Sequence, residues 1–405
     1  MSTAAVTPVD ELDPPVLPYD DPTLRGPRFH QVLADLRERD WLAKVPLGYA
    51  VLDRESCAFF LRTRSATFPG LKIAEIFQID EGPLAEEIRR NILHLNGEDH
   101  SRLRNLVNPS FTPRAANRWR PAMREVLEGL WAQLDGATSC EFVDTFAKAY
   151  PSMVIATVMG APLEDAPRLH HWSDWIQRQF DATALMEQRP QIEEAVQEFY
   201  DWAAELLERR RDDPREDLIS TLLAARHEGD RLDDDELINL VLNVLVGGVD
   251  TTQSQLAQAL RLFAEHPQQW EALRADPELA SAAVWESLRL EPITPFTARI
   301  ALEDIEFRDV LFPEGTVVMV AAASANRDGV DSAFDITASR DLGKPLTFGA
   351  GPHYCLGANL AQAEMQEGLQ FYAERMPGLK LDGEPEFGSV QGVYGLDRLP
   401  LRWVA

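Results

Sequence analysis

Cys355 lies in the run Phe348-Gly349-Ala350-Gly351-Pro352-His353-Tyr354-Cys355-Leu356-Gly357. Two glycines before it and one after let the backbone adopt positive φ and approach a flat ligand closely. From Ala358 to Tyr372 the pattern is helical, with Leu360, Ala361, Ala363, Met365 and Leu369 among the apolar positions. The cysteine therefore sits at or just before a helix N-terminus. Free N–H groups and the positive dipole end there favour a thiolate over a thiol. Such a thiolate is a good soft ligand for iron.

A second group of polar residues interrupts an apolar pattern. Asp233-Asp234-Asp235-Glu236 is an acidic helix start, where carboxylates cap free N–H groups. Leu237, Leu240, Val241, Val244, Leu245 and Gly248 follow at helical spacing. Pro267 ends the run, so one helix of roughly 45–50 Å is predicted, long enough to cross a whole domain. In its middle stands Gly247-Gly248-Val249-Asp250-Thr251-Thr252. Two glycines cost about 1 kcal/mol each against alanine, so something should offset them. His100 and Arg104 fall four residues apart on one helix face, and Glu286 and Arg289 three apart on another.

The Cys355 run fixes six positions as Phe-Gly-x-Gly-x-His-x-Cys-x-Gly. It is similar to the haem-binding signature of the cytochrome P450 superfamily. The other motifs stand in that family's order, and the resemblance covers roughly residues 85 to 405. It implies a haem b cofactor (iron protoporphyrin IX) with Cys355 as iron ligand. Gly247 to Thr252 resembles the segment that passes over the haem. On that reading Val244, Gly248 and Thr251 share the haem-facing side, glycine leaves room for dioxygen and substrate, Thr251 hydrogen-bonds the oxygen ligand, and Asp250 relays protons from solvent. O–O cleavage needs two protons, which an acid–alcohol pair supplies without flooding the pocket.

The resemblance also implies that His100, Arg104, Arg299 and His353 bind the haem propionates, as two carboxylates in a partly buried site need cations. Arg102 reads as a solvated charge. Glu286 and Arg289 take a structural role, with Arg340 as third partner. Pro292 and Pro295, Asn326-Arg327-Asp328 and Phe334-Asp335 follow in the family's order, while Ala338-Ser339 reads as an insertion before Arg340.

The elements that must position these groups are mostly helical. The expected fold is mainly α with small β-sheets (α+β): an irregular, proline-rich arm over residues 1–28 and one haem-thiolate domain over 29–405. Within it, residues 28–39 and 54–64 read as helices, 45–53 as strand–turn–strand, 299–323 as β-rich and 388–405 as a short β tail. Residues 67–84 read as a loop. The family's substrate-contacting regions map to that loop with Phe77, to Trp172, Trp175 and Phe180, to Val244 and Gly248, to Ile293 and Phe296, and to Val393. They are apolar or aromatic, so an apolar substrate is the default. Core packing explains the tryptophans equally well.

Composition narrows the function further. The 405-residue chain carries 39 basic and 66 acidic residues, net −27. That excludes a basic nucleic-acid or anionic-membrane surface as its main feature. Three cysteines give no disulfide framework and suit a reducing cytoplasm. No signal-peptide pattern and no uncharged apolar run of membrane-spanning length is visible, so a soluble, cytoplasmic monomer is expected. The resemblance implies a monooxygenase that inserts one atom of O2 into an apolar substrate by hydroxylation or epoxidation. Its electrons come from a separate ferredoxin or flavodoxin with an NAD(P)H-dependent reductase, docking near Arg102, Arg114, Arg340 and Lys344. The alternatives are a peroxide-driven haem oxidase, which Asp250 and Thr251 count against, and a non-catalytic haem-thiolate ligand sensor.

Overall fold

The long helix starts as its sequence dictates. The Asp233 side chain accepts from the Glu236 N–H at 2.7 Å, and the Glu236 side chain accepts from the Asp233 N–H at 3.2 Å, a reciprocal capping box. The helix Asp234–Gly248 buries Leu237, Leu240, Val241, Val244 and Leu245. It does not run unbroken to Pro267. In this computed structural model, which describes residues 6–227, 232–338 and 343–405, the chain breaks at Val249 (φ −87°, ψ −73°) and restarts as Asp250–Glu265. The expected single helix is thus two. The physical reason is local: two glycines weaken the helix, and the Thr251 hydroxyl donates to the Gly247 carbonyl at 2.6 Å.

Five further helices pack on this pair: Ala149–Met159, Ala166–Gln177, Ala182–Asp212, Ala280–Leu290 and Ala358–Arg375. Their buried faces merge into one large apolar core. Beside it lies a five-stranded sheet in the order Leu42–Val45, Gly48–Val51, Val317–Val320, Thr297–Ala301, Ala66–Thr67. Gly48–Val51 runs parallel to Val317–Val320 and the other neighbours are antiparallel. Arg299 stands opposite Val318 in that register. The mainly helical architecture with small sheets is the one expected.

Two stretches differ from their sequence pattern. Residues 67–84 are not a loop: Gly70–Ile76 is helical and Pro83–Arg90 begins another helix. Leu71 and Ile76 remain exposed there, which is why the stretch lacks a clean amphipathic period. The proline-rich N-terminal residues are irregular but packed. Thr7–Pro8 pairs with Val310–Leu311, and Leu17 and Leu24 are buried. Among the described residues no helix is long and apolar enough to cross a membrane.

Candidate active site

The loop before the Ala358–Arg375 helix is closed by its own backbone. Cys355 N–H donates to the Phe348 carbonyl at 2.9 Å. Gly351 has φ +71°, and a Cβ there would stand 2.6 Å from the Leu61 carbonyl oxygen. Only glycine lets the loop lie on the Arg54–Arg62 helix. The N–H groups of Gly357 and Ala358 and the Arg104 charge all lower the Cys355 pKa, yet burial outweighs them and pushes the thiol up. Helix position alone therefore does not make this thiolate. A cation on the sulfur is needed to hold the ionised form.

Around the cysteine the cations outnumber their partners. The His100 and His353 rings lie 4.4 Å apart. Arg104 donates to the Tyr354 carbonyl and, at 3.2 Å, to Asn108. Arg299 is 3% exposed and donates to the adjacent Ala298 carbonyl at 2.9 Å. His353 faces Asn96 Oδ1 at 3.4 Å. Among the described residues none of these four pairs with a carboxylate, and His100 Nε2 is buried without any partner. Burial lowers the Arg299 pKa to about 10. It lowers that of His353 to about 3, with the His100, Arg299 and Arg104 charges pushing the same way. The lowered pKa values leave both histidines neutral until a counter-charge arrives, while the arginines stay charged. A guanidinium as buried as Arg299 without a counter-charge is costly, so the cluster suits a ligand that brings carboxylates.

Just past the break at Val249, two neighbouring side chains point in different directions. Asp250 is buried, and its Oδ2 accepts from Ser173 Oγ at 2.5 Å. Burial, reinforced by Asp174, raises its pKa to about 7 against the Ser173 hydrogen bond. Thr251 shares its side of the helix with Gly247, where a Cβ would meet nothing within 4 Å. One face is an enclosed acid and the other an open step carrying a hydroxyl.

The Cytochrome P450 family model matches residues 77–330 of the chain. Luteothin monooxygenase of Streptomyces thioluteus is 35% identical over 410 residues, covering 100% of both chains. The chain belongs to the cytochrome P450 family. The mycinamicin IV hydroxylase/epoxidase of Micromonospora griseorubida is 35% identical over 306 residues, covering 74% of this chain and 76% of its own. The crystal structure of P450BioI in complex with an acyl carrier protein ligated to hexadec-9Z-enoic acid superposes with a TM-score of 0.85 at 30% identity. That match covers 93% of this chain and 98% of the other. The protein is thus a P450 enzyme, a haem-iron oxidoreductase that works with a substrate, O2 and a redox partner.

The residues present fit the haem-thiolate group of the family. Cys355 offers a free thiol, and the arginines and histidines beside it, which have no carboxylate partner among the described residues, match a dicarboxylate porphyrin. The Glu286–Arg289 pair buttresses the loop from behind. Arg289 Nε and Nη2 each donate to the Glu286 carboxylate at 2.8 Å, and Nη2 also reaches the Ala333 carbonyl at 3.2 Å. Arg340, the expected third partner, lies outside the described residues. Asn326 and Thr347 complete the support, and no spacing rule singles them out. Asn326 Oδ1 accepts from Leu346 N–H at 2.8 Å, its Nδ2 donates to Thr347 Oγ1 at 3.0 Å, and Thr347 donates to the Leu288 carbonyl at 2.5 Å. The helix Ala280–Leu290 is thereby tied to the residues that start the cysteine loop. Arg102 is not a free charge: it is half-buried and ion-paired with Glu236, fixing the start of the long helix.

The pocket residues divide. Val244 is buried on the Asp234–Gly248 helix, and Phe77 is half-buried at the end of Gly70–Ile76. Ile293 and Val393 are brought together, since Tyr394 N–H donates to the Ile293 carbonyl at 2.7 Å. Gly395 then lies against Ser254, three residues past Thr251. Two assignments are corrected. A Cβ on Gly248 would stand 2.4 Å from Ile155 Cδ1, so Gly248 packs against the Ala149–Met159 helix and Gly247 is the glycine on the open side. Phe296 turns into an aromatic cluster with Tyr19 (5.3 Å) and Phe29 (5.8 Å). Trp172 is core as well, packed against Phe199 and Trp202. A cavity of about 450 Å³ beside His30, Arg261, Glu291 and Arg327 is lined by none of the cysteine-loop or Asp250 groups.

Proposed function

We propose that the protein inserts one oxygen atom of O2 into an apolar organic substrate, by hydroxylation or epoxidation. Cys355 would supply the sulfur that binds the iron of haem b, and His100, Arg104, Arg299 and His353 would hold its propionates. When bound, the haem activates dioxygen and oxidises the substrate. Asp250 stores a proton in the interior at neutral pH. Thr251 presents a hydroxyl, anchored on the Gly247 carbonyl, on the open side of the helix. The observation that carries this reading is the pair that opens the helix after Val249, an enclosed acid bonded to Ser173 beside an alcohol on the open side. An acid with a pKa near neutrality suits proton delivery.

Relatives named for luteothin and mycinamicin IV support a secondary-metabolite substrate. P450BioI with its loaded acyl carrier protein supports including carrier-bound acyl chains among the candidates. Electrons come from a ferredoxin or flavodoxin. Arg114 and Lys344 are the candidates left for its docking, since Arg102 is engaged by Glu236 and Arg340 is outside the described residues.

Asp250→Asn tests the reading. Optical titration of the ferric protein with terpenes, steroids, fatty acids, macrolides and small aromatics first finds a compound that shifts the Soret band to the blue. With that compound the variant is expected to bind as before, while product per electron falls roughly 100-fold. Unchanged coupling in the variant overturns the role of Asp250.

A further inference from the structure

Hydroxyls within the helices of this protein mostly turn back on their own backbone. Ser101 donates to Gly97, Ser152 to Lys148, Thr157 to Met153 and Thr221 to Asp217, each four residues back. That is the usual fate of serine and threonine in a helix. Ser173, in the Ala166–Gln177 helix, is different. Fully buried, it sends its hydroxyl across to Asp250 Oδ2 at 2.5 Å. One turn away His170 Nε2 lies 3.0 Å from Gln253 Oε1. Residues 170 and 173 thus oppose 253 and 250, two polar rungs joining antiparallel helices.

We propose that Ser173 is a positioning residue for Asp250, standing where a cation would otherwise hold the acid. The proposal rests on the reading that Asp250 passes protons. The surrounding charges leave the role to Ser173. Arg178, the cation facing this site, is bound to Asp174 at 2.7 Å and to Gln188 at 2.9 Å, and lies 4.2 Å over the Trp175 ring. Asp174 opposes ionisation of Asp250, and His170 is engaged by Gln253. A hydroxyl suits this position better than a guanidinium. It donates to the carboxylate and, by rotating, accepts more weakly from the carboxylic acid, so it stays bonded to Asp250 in both protonation states while favouring the ionised one. A cation would stabilise only the ionised form.

The test is an infrared titration of the carboxyl band of Asp250 in the haem-loaded protein, the band being assigned by its loss in Asp250→Asn. Ser173→Ala is expected to raise the titration midpoint by about one pH unit, since the lost donor favoured the ionised form. The pH profile of product per electron should move the same way, with substrate binding unchanged. Ser173→Thr, which keeps the hydroxyl, should hold the wild-type midpoint. An unmoved midpoint in Ser173→Ala, or an equal shift in both variants, overturns the proposal. If Asp250→Asn leaves coupling intact, proton passage by Asp250 fails, while the infrared midpoint still decides whether Ser173 holds the acid.

Discussion

Two regions of this P450 bury charge without an opposite charge, and they do so with opposite signs. Beside Cys355, Arg104, Arg299, His100 and His353 gather with no carboxylate among the described residues. Across the core, Asp250 and Glu87 are buried with no ion pair to a cation among the described residues. The difference lies in how each cluster can relieve its cost. An arginine cannot lose its proton in a protein, so the first cluster needs a negative ligand. A carboxylate can take up a proton, and both acids do: burial lifts Glu87 and Asp250 to about 7. Charge that must be matched builds a binding site for a fixed anion. Charge that can be discharged builds a proton store.

The sharpest break in this comparison is removal of the sulfur. Cys355→Ala should abolish turnover and the red-shifted Soret band of the ferrous–CO complex, leaving the acid side untouched. A retained red-shifted band would show that another residue ligates the iron. Next is Arg299→Ala. Its guanidinium has no carboxylate partner among the described residues, so its loss falls wholly on the bound propionate, and haem transfer to an acceptor globin should run roughly 10- to 100-fold faster. Arg102→Ala, which loses the Glu236 ion pair instead, should leave haem transfer near wild type. Equal rates in the two variants would deny the cluster its special role.

The glycine pair sharpens the acid side. Gly247→Val adds methyls on the open side near Thr251 and should weaken substrate binding about tenfold, with little change in stability. Gly248→Val drives a Cβ to 2.4 Å from Ile155 Cδ1. It should instead lower stability by about 1–3 kcal/mol, read by urea unfolding. Interchanged outcomes would mean that the helix faces are assigned the wrong way round.

That glycine pair also marks where sequence stopped being informative. Periodicity announced the acidic cap and the buried face, because capping and packing repeat at helical spacing. It could not say which of two adjacent glycines is crowded, since Ile155 approaches from a helix almost a hundred residues earlier. The cysteine loop was legible because its spacing is rigid, and His100 and Arg104 because they lie four residues apart on one helix. Thr347 and Ser173 left no such trace, and Asn326 was marked only by the Asn326-Arg327-Asp328 run, not by its partners. Each acts through hydrogen bonds between distant segments, and a serine in a helix looks the same whether it turns back or reaches across. Phe296 was misplaced for a related reason: its aromatic partners, Tyr19 in the irregular arm and Phe29 in the helix that follows it, lie far away in sequence.

The smallest effect concerns stability against pH. Glu87 is fully buried, accepts from Asn91 at 2.5 Å, and titrates near 7 against an ordinary 4.5. The unfolded chain releases this proton near 4.5 and the folded one near 7, so between these values the folded state holds more protons. Stability from Glu87 is then complete below about 4.5 and is lost as pH rises toward 7. His94 works the other way: burial lowers it to about 4, so its contribution grows as pH rises from 4 toward 6.5. The two slopes oppose each other in the wild type. Glu87→Gln removes one of them and leaves the histidine in place. From pH 5 to pH 8 the wild type should lose about 1–3 kcal/mol more than Glu87→Gln, measured by urea unfolding of the haem-loaded proteins. Parallel pH dependence in the two proteins would mean that Glu87 is already ionised in the folded state, and the acid side would then be a charge waiting for a partner, like the cysteine side.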